Sequence, residues 1–108
     1  MADKILIVDD EPVQRRLLES ALLKGGHAVI AAETGEQALE LFDEHQGAVA
    51  AIVLDLVMPG LGGMEVMAKL ADRGATVPVI VQTAQGGIDV VVEAMRNGAF
   101  DFVVKPFA

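Results

Sequence analysis

Five short apolar runs recur along this chain of 108 residues, and they restrict it to very few folds. They cover residues 5–8, 27–32, 51–54, 77–81 and 100–104. Each run is too short for a helix, and the unbroken hydrophobicity of residues 51–54 is typical of a strand that is covered on both faces. Because segments with helical spacing separate the runs, the sequence predicts βα units around a doubly wound, five-stranded parallel sheet.

The four segments between the runs carry signals for helix ends. Pro12 suits a first helical turn, Gly25 suits a helix C-terminus, and Thr34 is a typical N-cap residue. Residues 64–73 predict a short amphipathic helix. In the last segment, the spacing i, i+3, i+4, i+7 predicts that four apolar side chains share one helical face: Ile88, Val91, Val92 and Met95.

The composition limits the class of protein. With 108 residues, of which 53% are hydrophobic, the chain is long enough for one folded domain. It has no cysteine, no signal peptide and no apolar stretch of membrane-spanning length, so we expect a cytoplasmic protein outside the membrane. The 16 acidic and 8 basic side chains give a formal net charge of −8, which disfavours direct binding to nucleic acid.

Polar side chains follow four of the five apolar runs: Asp9 and Asp10, then Asp55, Thr83 and Lys105. The carboxyl ends of parallel strands meet at one edge of a sheet, so we expect these groups to converge. Three carboxylates held close together repel one another, and a hard divalent cation such as Mg²⁺ would neutralise them. The lysine and the hydroxyl could hold a phosphoryl group on a nucleophilic Asp55. Alternatively, Asp55 could simply open a turn and Lys105 could simply form an ion pair.

This set of residues resembles the receiver domains of two-component response regulators over the whole chain. The family's acidic pair corresponds to Asp9-Asp10, its phosphorylated aspartate to Asp55 in D-L-V-M-P-G, its switch hydroxyl to Thr83 and its lysine to Lys105 in K-P-F. The resemblance implies the flavodoxin-like strand order 2-1-3-4-5. It also implies a phosphorylation-operated switch. A histidine kinase or a phosphotransfer protein would donate to Asp55, and the domain would then regulate an output domain or a downstream protein.

The resemblance further implies a magnesium site. Asp10, Asp55 and the backbone carbonyl of Val57 would bind Mg²⁺ directly, whereas Asp9 would act through water. With this ion in place, the domain would catalyse its own phosphotransfer and its own dephosphorylation.

Two further roles follow from the resemblance. Phe102 is similar to the family's aromatic residue that turns inward when the Thr83 hydroxyl moves to the phosphoryl group. Val57 and Gln85 lie two positions after Asp55 and Thr83, where family members tend to govern how water reaches the phosphoryl group. An apolar Val57 cannot orient a water molecule.

Residues 83–107 resemble receivers that are attached to AAA+ transcription activators of the nitrogen-regulator type, which implies a role in transcription regulation. Gly62 and Gly87 stand where such receivers commonly carry Asp or Asn at the start of the third and fourth helices. A glycine N-cap costs only roughly a few tenths of a kcal/mol relative to Asp, but it frees the backbone. We therefore expect a looser fourth helix.

Other classes of protein fit the residues less well. A haloacid-dehalogenase-like phosphatase also uses an aspartate nucleophile, but it needs a second Asp two residues later, where this chain has Val57. A flavodoxin needs a phosphate-binding loop after its first strand, where this chain has the acidic residues 9–11. A receiver-like interaction module that is never phosphorylated remains an alternative.

Receiver domains usually continue into a fifth helix, whereas this sequence ends at Ala108. We therefore expect residues 1–108 to form a receiver domain without its final helix. The fourth helix and the fifth strand would then border an uncovered apolar surface, which soluble monomers rarely tolerate. This predicts that two copies pair through the fourth helix and the fifth strand or exchange structural elements with each other.

Overall fold

The computed structural model describes residues 2–58, 60–83 and 88–104. Within these ranges, strands and helices alternate along the chain. The strands are β1 (Lys4–Val8), β2 (Ala28–Ala32), β3 (Val49–Asp55), β4 (Val79–Thr83) and β5 (Asp101–Val104). The helices are α1 (Pro12–Lys24), α2 (Gly35–Glu44), α3 (Gly63–Asp72) and α4 (Ile88–Arg96).

The five strands form one parallel sheet in the order β2-β1-β3-β4-β5. This confirms the predicted doubly wound arrangement and its strand order. The order reverses between β1 and β3, which lie side by side although β2 comes between them in sequence. In open α/β sheets, ligands bind beyond the carboxyl ends of the strands at such a reversal. The residues that follow β1 and β3 are therefore the first candidates for a binding site.

The main core lies on one face of the sheet. Buried strand residues such as Leu6, Leu54 and Val81 pack there with side chains of α2, α3 and α4, including Phe42 and Val66. The predicted cap of α2 is present, since the Thr34 hydroxyl accepts a hydrogen bond from the Gln37 N–H at 3.0 Å. This face anchors three of the four helices.

The opposite face is covered less completely. Ile7 is fully buried but lies outside the main core, as the alternation of side chains along β1 requires. α1 lies against β1 and β2, yet none of its residues is fully buried. Val13 and Leu17 of α1 are 61% and 50% exposed. An apolar flank is therefore exposed along α1.

The predicted limits of β4 are wrong by two residues. Pairing begins at Val79, after Pro78, and continues through Gln82 and Thr83. Pro78 has no N–H for the ladder, although its carbonyl accepts a hydrogen bond from the Ile52 N–H at 3.0 Å. Gln82 and Thr83 extend the strand as buried polar residues, which an apolar run does not reveal.

The predicted apolar face of α4 is only partly buried. Val91 is buried, and its buried neighbour on the helix is Ala94. Ile88, Val92 and Met95 are 62%, 43% and 40% exposed. The small Ala94 side chain faces the core, so the buried stripe of the helix is rotated away from these three larger residues.

None of the helices in the described ranges has the length and apolar composition needed to cross a bilayer.

Candidate functional site

Three carboxylates meet where β1 and β3 end. Asp9 and Asp10 directly follow β1, and Asp55 is the last residue of β3. One carboxylate oxygen from each residue lies within 4.8 Å of the other two. Asp9 and Asp55 are buried, whereas Asp10 is exposed. The structure thus brings together the three acidic residues that the sequence places at strand ends, and we call them the acid cluster.

Backbone amides orient the two buried carboxylates. The Glu11 N–H donates to Asp9 Oδ1 at 2.9 Å, and the Val57 N–H donates to Asp55 Oδ1 at 3.1 Å. In both cases the donor lies two residues after the aspartate, which is the arrangement of an Asx turn. The same local geometry therefore holds both carboxylates at the carboxyl edge of the sheet.

Arg15 is a contributor to the site that sequence reasoning missed. Its Nη1 donates to the backbone carbonyl of Asp9 at 2.8 Å, and its Nη2 bonds Glu33 Oε1 at 3.3 Å. The Arg15 side chain is only 15% exposed. Arg15 therefore connects the loop after β1 to the first turns of α1 by a hydrogen bond. An arginine within an amphipathic helix carries no signal of this role, because the contact depends on how the loop folds back.

Thr83 ends β4 at the same edge of the sheet. It is 3% exposed and pairs with Val104 of β5. Phe102 pairs with Val81 and is 39% exposed. Since residues two apart on a strand share a face, Thr83 and Phe102 lie on the same side of the sheet. The two predicted switch residues are therefore neighbours across β4 and β5.

Two predicted site residues cannot be placed. Lys105, the predicted phosphoryl-binding lysine, and Gln85, the predicted tuning residue, lie outside the described residues. The position of Val57 is described, and its side chain is 67% exposed beside Asp55.

The donor set of the acid cluster suits a hard divalent cation. All three residues offer carboxylate oxygens, which Mg²⁺ and Ca²⁺ prefer. Burying Asp9 and Asp55 as anions is costly unless positive charge or hydrogen bonds compensate. Because Asp10 is exposed, the cluster is open to solvent on one side.

Gln82 is a second polar residue that sequence reasoning missed. It lies in β4, directly paired with Asp55 of β3, and it is fully buried. An isolated glutamine within an apolar run carries no signal of its own, since only the register of the sheet places it beside the acid cluster.

A groove of about 550 Å³ lies elsewhere, between α2 and α3. Glu40 and Lys69 are among its lining residues, and Arg73 bonds Asp43 across it at 2.9 Å. That hydrogen bond raises the pKa of Arg73 above its ordinary value. The acid cluster does not line this groove. The candidate site is therefore identified by the types of residue that it contains and not by the depth of a pocket.

Comparison with known proteins identifies the family. Residues 5–108 match the response regulator receiver domain family. The chain belongs to this family. The receiver domain is 39% identical over 107 residues to the response regulator protein FleR of Pseudomonas aeruginosa, which covers 99% of this chain and 22% of FleR. It is 37% identical over 108 residues to the chemotaxis protein CheY of Bacillus subtilis, covering 99% of this chain and 88% of CheY.

Solved structures agree with this assignment. NtrX from Brucella abortus superposes with a TM-score of 0.91 at 33% identity, over 100% of this receiver domain and 24% of NtrX. A receiver domain protein from Clostridium thermocellum also gives a TM-score of 0.91, at 30% identity, over 100% of this chain and 85% of the other. The chain is thus a receiver domain of the two-component type, and it spans less than a quarter of the length of FleR and NtrX.

Proposed function

We propose that this receiver domain is a phosphorylation-operated signalling switch that accepts a phosphoryl group on Asp55. The observation that carries the proposal is the approach of the Asp9, Asp10 and Asp55 carboxylates to within 4.8 Å of one another in a member of this family. An Asp55 carboxylate oxygen attacks the phosphorus of a phosphohistidine. A P–O bond forms, the P–N bond breaks, and the histidine leaves and takes up a proton.

The reaction needs compensation for the negative charge that gathers at the acid cluster. Mg²⁺, when bound, would neutralise the carboxylates and the phosphoryl oxygens. We assign its direct ligands to Asp10, Asp55 and the backbone carbonyl of Val57, and a water-mediated role to Asp9. Arg15 supports this set because it fixes the backbone of Asp9.

Phosphorylation is read out by Thr83 and Phe102 in this proposal. Lys105 and the Thr83 hydroxyl hold the phosphoryl group once it is attached to Asp55. Movement of Thr83 then draws Phe102 inward. The shared sheet face of Thr83 and Phe102, together with the partial exposure of Phe102, supports this coupling.

The rate of dephosphorylation is set by access of water to the phosphoryl group. Val57 and Gln85 are the tuning positions in this proposal. The Val57 side chain is largely exposed next to Asp55, so it is well placed to face incoming water but offers no hydrogen bond to it.

The partners follow from the proposed chemistry. A histidine kinase or a phosphotransfer protein in the cytoplasm donates the phosphoryl group. An output domain or a downstream protein receives the signal, and the 41% identity over 108 residues to the transcriptional regulatory protein SrrA of Staphylococcus aureus, of which the chain covers 44%, supports an output in transcription. The exposed apolar side chains of α4 and β5 support pairing of two copies.

Phosphorylation by acetyl phosphate, followed by intact mass, tests the proposal. We expect one added phosphoryl group on the wild-type chain with Mg²⁺ and none after chelation of the ion. Without the cation, nothing offsets the added negative charge of the phosphoryl oxygens beside the carboxylates. Asp55→Asn should remain unmodified, whereas Asp72→Asn, which changes an exposed aspartate at the end of α3, should be modified like the wild type.

Two outcomes contradict the proposal. Persistent, stoichiometric labelling of Asp55→Asn would show that the acceptor is another residue. A folded wild-type chain that takes up no phosphoryl group from acetyl phosphate or from any phosphohistidine donor would instead indicate an interaction module that is never phosphorylated.

A further inference from the structure

Gln82 is a buried amide that the proposed chemistry does not use. It is fully buried in β4, and neither its side-chain oxygen nor its side-chain nitrogen has a hydrogen-bond partner within the described ranges. A buried amide without partners destabilises the folded state, and native proteins retain few of them. A state of the protein that supplies a partner would therefore be favoured.

Gln82 lies beside the candidate phosphoacceptor. It pairs directly with Asp55, and its backbone carbonyl accepts a hydrogen bond from the Leu56 N–H at 3.1 Å. The preceding pair, Leu54 and Val81, belongs to the main core. Because side chains alternate along strands, Asp55 and Gln82 both face the other side of the sheet. Neighbouring strands lie about 4.8 Å apart, a gap that a glutamine side chain can span.

The burial of Gln82 limits what its amide can contact. A fully buried side chain cannot orient a water molecule that arrives from solvent, so Gln82 is unsuited to position the attacking water of dephosphorylation. Gln82 instead lies on the strand next to Asp55, and its side chain is on the same face of the sheet as that of Asp55. Its Nε2 carries two N–H donors, and a phosphoryl group on Asp55 would bring strong acceptor oxygens into its neighbourhood.

We propose that Gln82 is a phosphoryl-binding residue whose side-chain N–H donates to the phosphoryl group on Asp55. The inference rests on the proposed function, because it needs Asp55 to be the acceptor. In the resting domain the amide has no hydrogen-bond partner among the described residues, and in the phosphorylated domain it gains one. Gln82 thereby favours the phosphorylated form over the resting form, and it acts from the sheet face opposite the main core.

The test compares the affinity of three chains for beryllofluoride, a non-covalent phosphoryl mimic, in the presence of Mg²⁺. Gln82→Met replaces the amide with an apolar side chain of similar volume. It should bind the mimic at least about tenfold more weakly, since a hydrogen bond to a charged group is lost. Its thermal midpoint in the resting state should be equal or higher, because the unsatisfied amide has been removed.

Gln14→Met is the matched control. Gln14 lies in α1, and its side-chain oxygen is also buried without a partner in the described chain, but Gln14 is not paired with Asp55. Its replacement should therefore leave the affinity for the mimic unchanged. A general effect of removing a buried amide would weaken binding in both variants, and this result would contradict the proposal.

A second readout follows the Gln82 side-chain NH₂ resonance of the wild-type domain by NMR, which does not depend on a variant that folds. The resonance should shift downfield when the mimic binds. An unchanged resonance, or equal affinity of Gln82→Met and the wild type, overturns the assignment of Gln82 while the proposed function stands. Failure of the wild type to bind the mimic, or equal binding by Asp55→Asn, overturns the proposed function itself.

Discussion

Thr83 ends β4, the strand beside β3, and we expect its hydroxyl to respond to a phosphoryl group on Asp55. Thr83→Ala should still accept a phosphoryl group, because the nucleophile and the acid cluster are unchanged. The response at Phe102 and in α4 should be lost, since the hydroxyl that moves toward the phosphoryl group is absent. NMR chemical shifts before and after phosphorylation measure this response.

Thr34→Ala provides the control for the loss of a threonine hydroxyl. It removes the N-cap hydrogen bond of α2 and should lower the free energy of unfolding by about 1 kcal/mol. Its response to phosphorylation should match the wild type. If Thr83→Ala showed the full wild-type shift at Phe102, the switch role of Thr83 would be wrong.

Val57 is exposed beside Asp55 and cannot hydrogen-bond water through its side chain. Val57→Asn should therefore speed the decay of phosphorylated Asp55, by about fivefold if the amide contributes one hydrogen bond of about 1 kcal/mol to the attacking water. Val57→Leu, which stays apolar, should decay like the wild type. The decay is followed by intact mass at matched Mg²⁺ concentration, and equal rates in all three chains would refute the tuning role.

At the scale of elements, the start of α3 supports the end of β3. A Cβ atom on Gly63 would lie 2.5 Å from the Asp55 carbonyl oxygen and 2.7 Å from the Leu56 Cα. Both are backbone atoms, so Gly63→Ala must displace either α3 or the end of β3. We expect a loss of about 1–3 kcal/mol in the free energy of unfolding and slower phosphorylation of Asp55.

Gly62→Ser is the matched control. The nearest backbone atom to a Cβ on Gly62 is 3.9 Å away, and Gly62 is the N-cap of α3, where serine is a preferred residue. Chemical denaturation and the rate of phosphorylation by acetyl phosphate measure both effects. A Gly63→Ala chain with wild-type stability and rate would show that α3 does not fix Asp55.

The sequence predicted the elements that are defined by short apolar runs. The parallel sheet follows from the alternation of these runs with helical segments, and the convergence of Asp9, Asp10 and Asp55 follows from the acidic residues at the ends of two strands. The strand order was implied by the resemblance to receiver domains. The end of β4 was missed because Gln82 and Thr83 are polar but buried, which only the neighbouring strands determine.

The features that the sequence did not reveal depend on tertiary contacts. On α4 the core accepts the small Ala94 rather than Ile88 or Met95, and helical spacing alone cannot distinguish these stripes. Arg15 acts on the backbone of Asp9, a contact that exists only after the loop following β1 has folded.

For the whole molecule, the exposed apolar side chains of α4 and β5 predict self-association. They are Ile88, Val92, Met95, Phe102 and Val104, together with Phe100, which directly precedes β5. Phe100 is the most exposed of them, at 69%. Sedimentation over a range of concentrations should show a reversible dimer that weakens about tenfold in Phe100→Ser, because one large aromatic side chain leaves the interface.

Leu23→Ser controls for the removal of an exposed apolar side chain elsewhere. Leu23 is 54% exposed near the end of α1. Its replacement should leave the dimer unchanged if pairing uses α4 and β5. A wild-type chain that stays monomeric at every concentration would contradict the predicted pairing.

Location of the phosphoryl group on the intact receiver domain tests the central claim most directly. Three carboxylates lie within 4.8 Å of one another, so a mass increase alone does not identify the acceptor. Borohydride reduces an aspartyl phosphate to homoserine, and peptide sequencing by mass spectrometry then locates the converted residue. We predict homoserine at position 55 only, and only after treatment with acetyl phosphate and Mg²⁺. Conversion of Asp9 or Asp10 instead, with Asp55 unmodified, would contradict this account of the site.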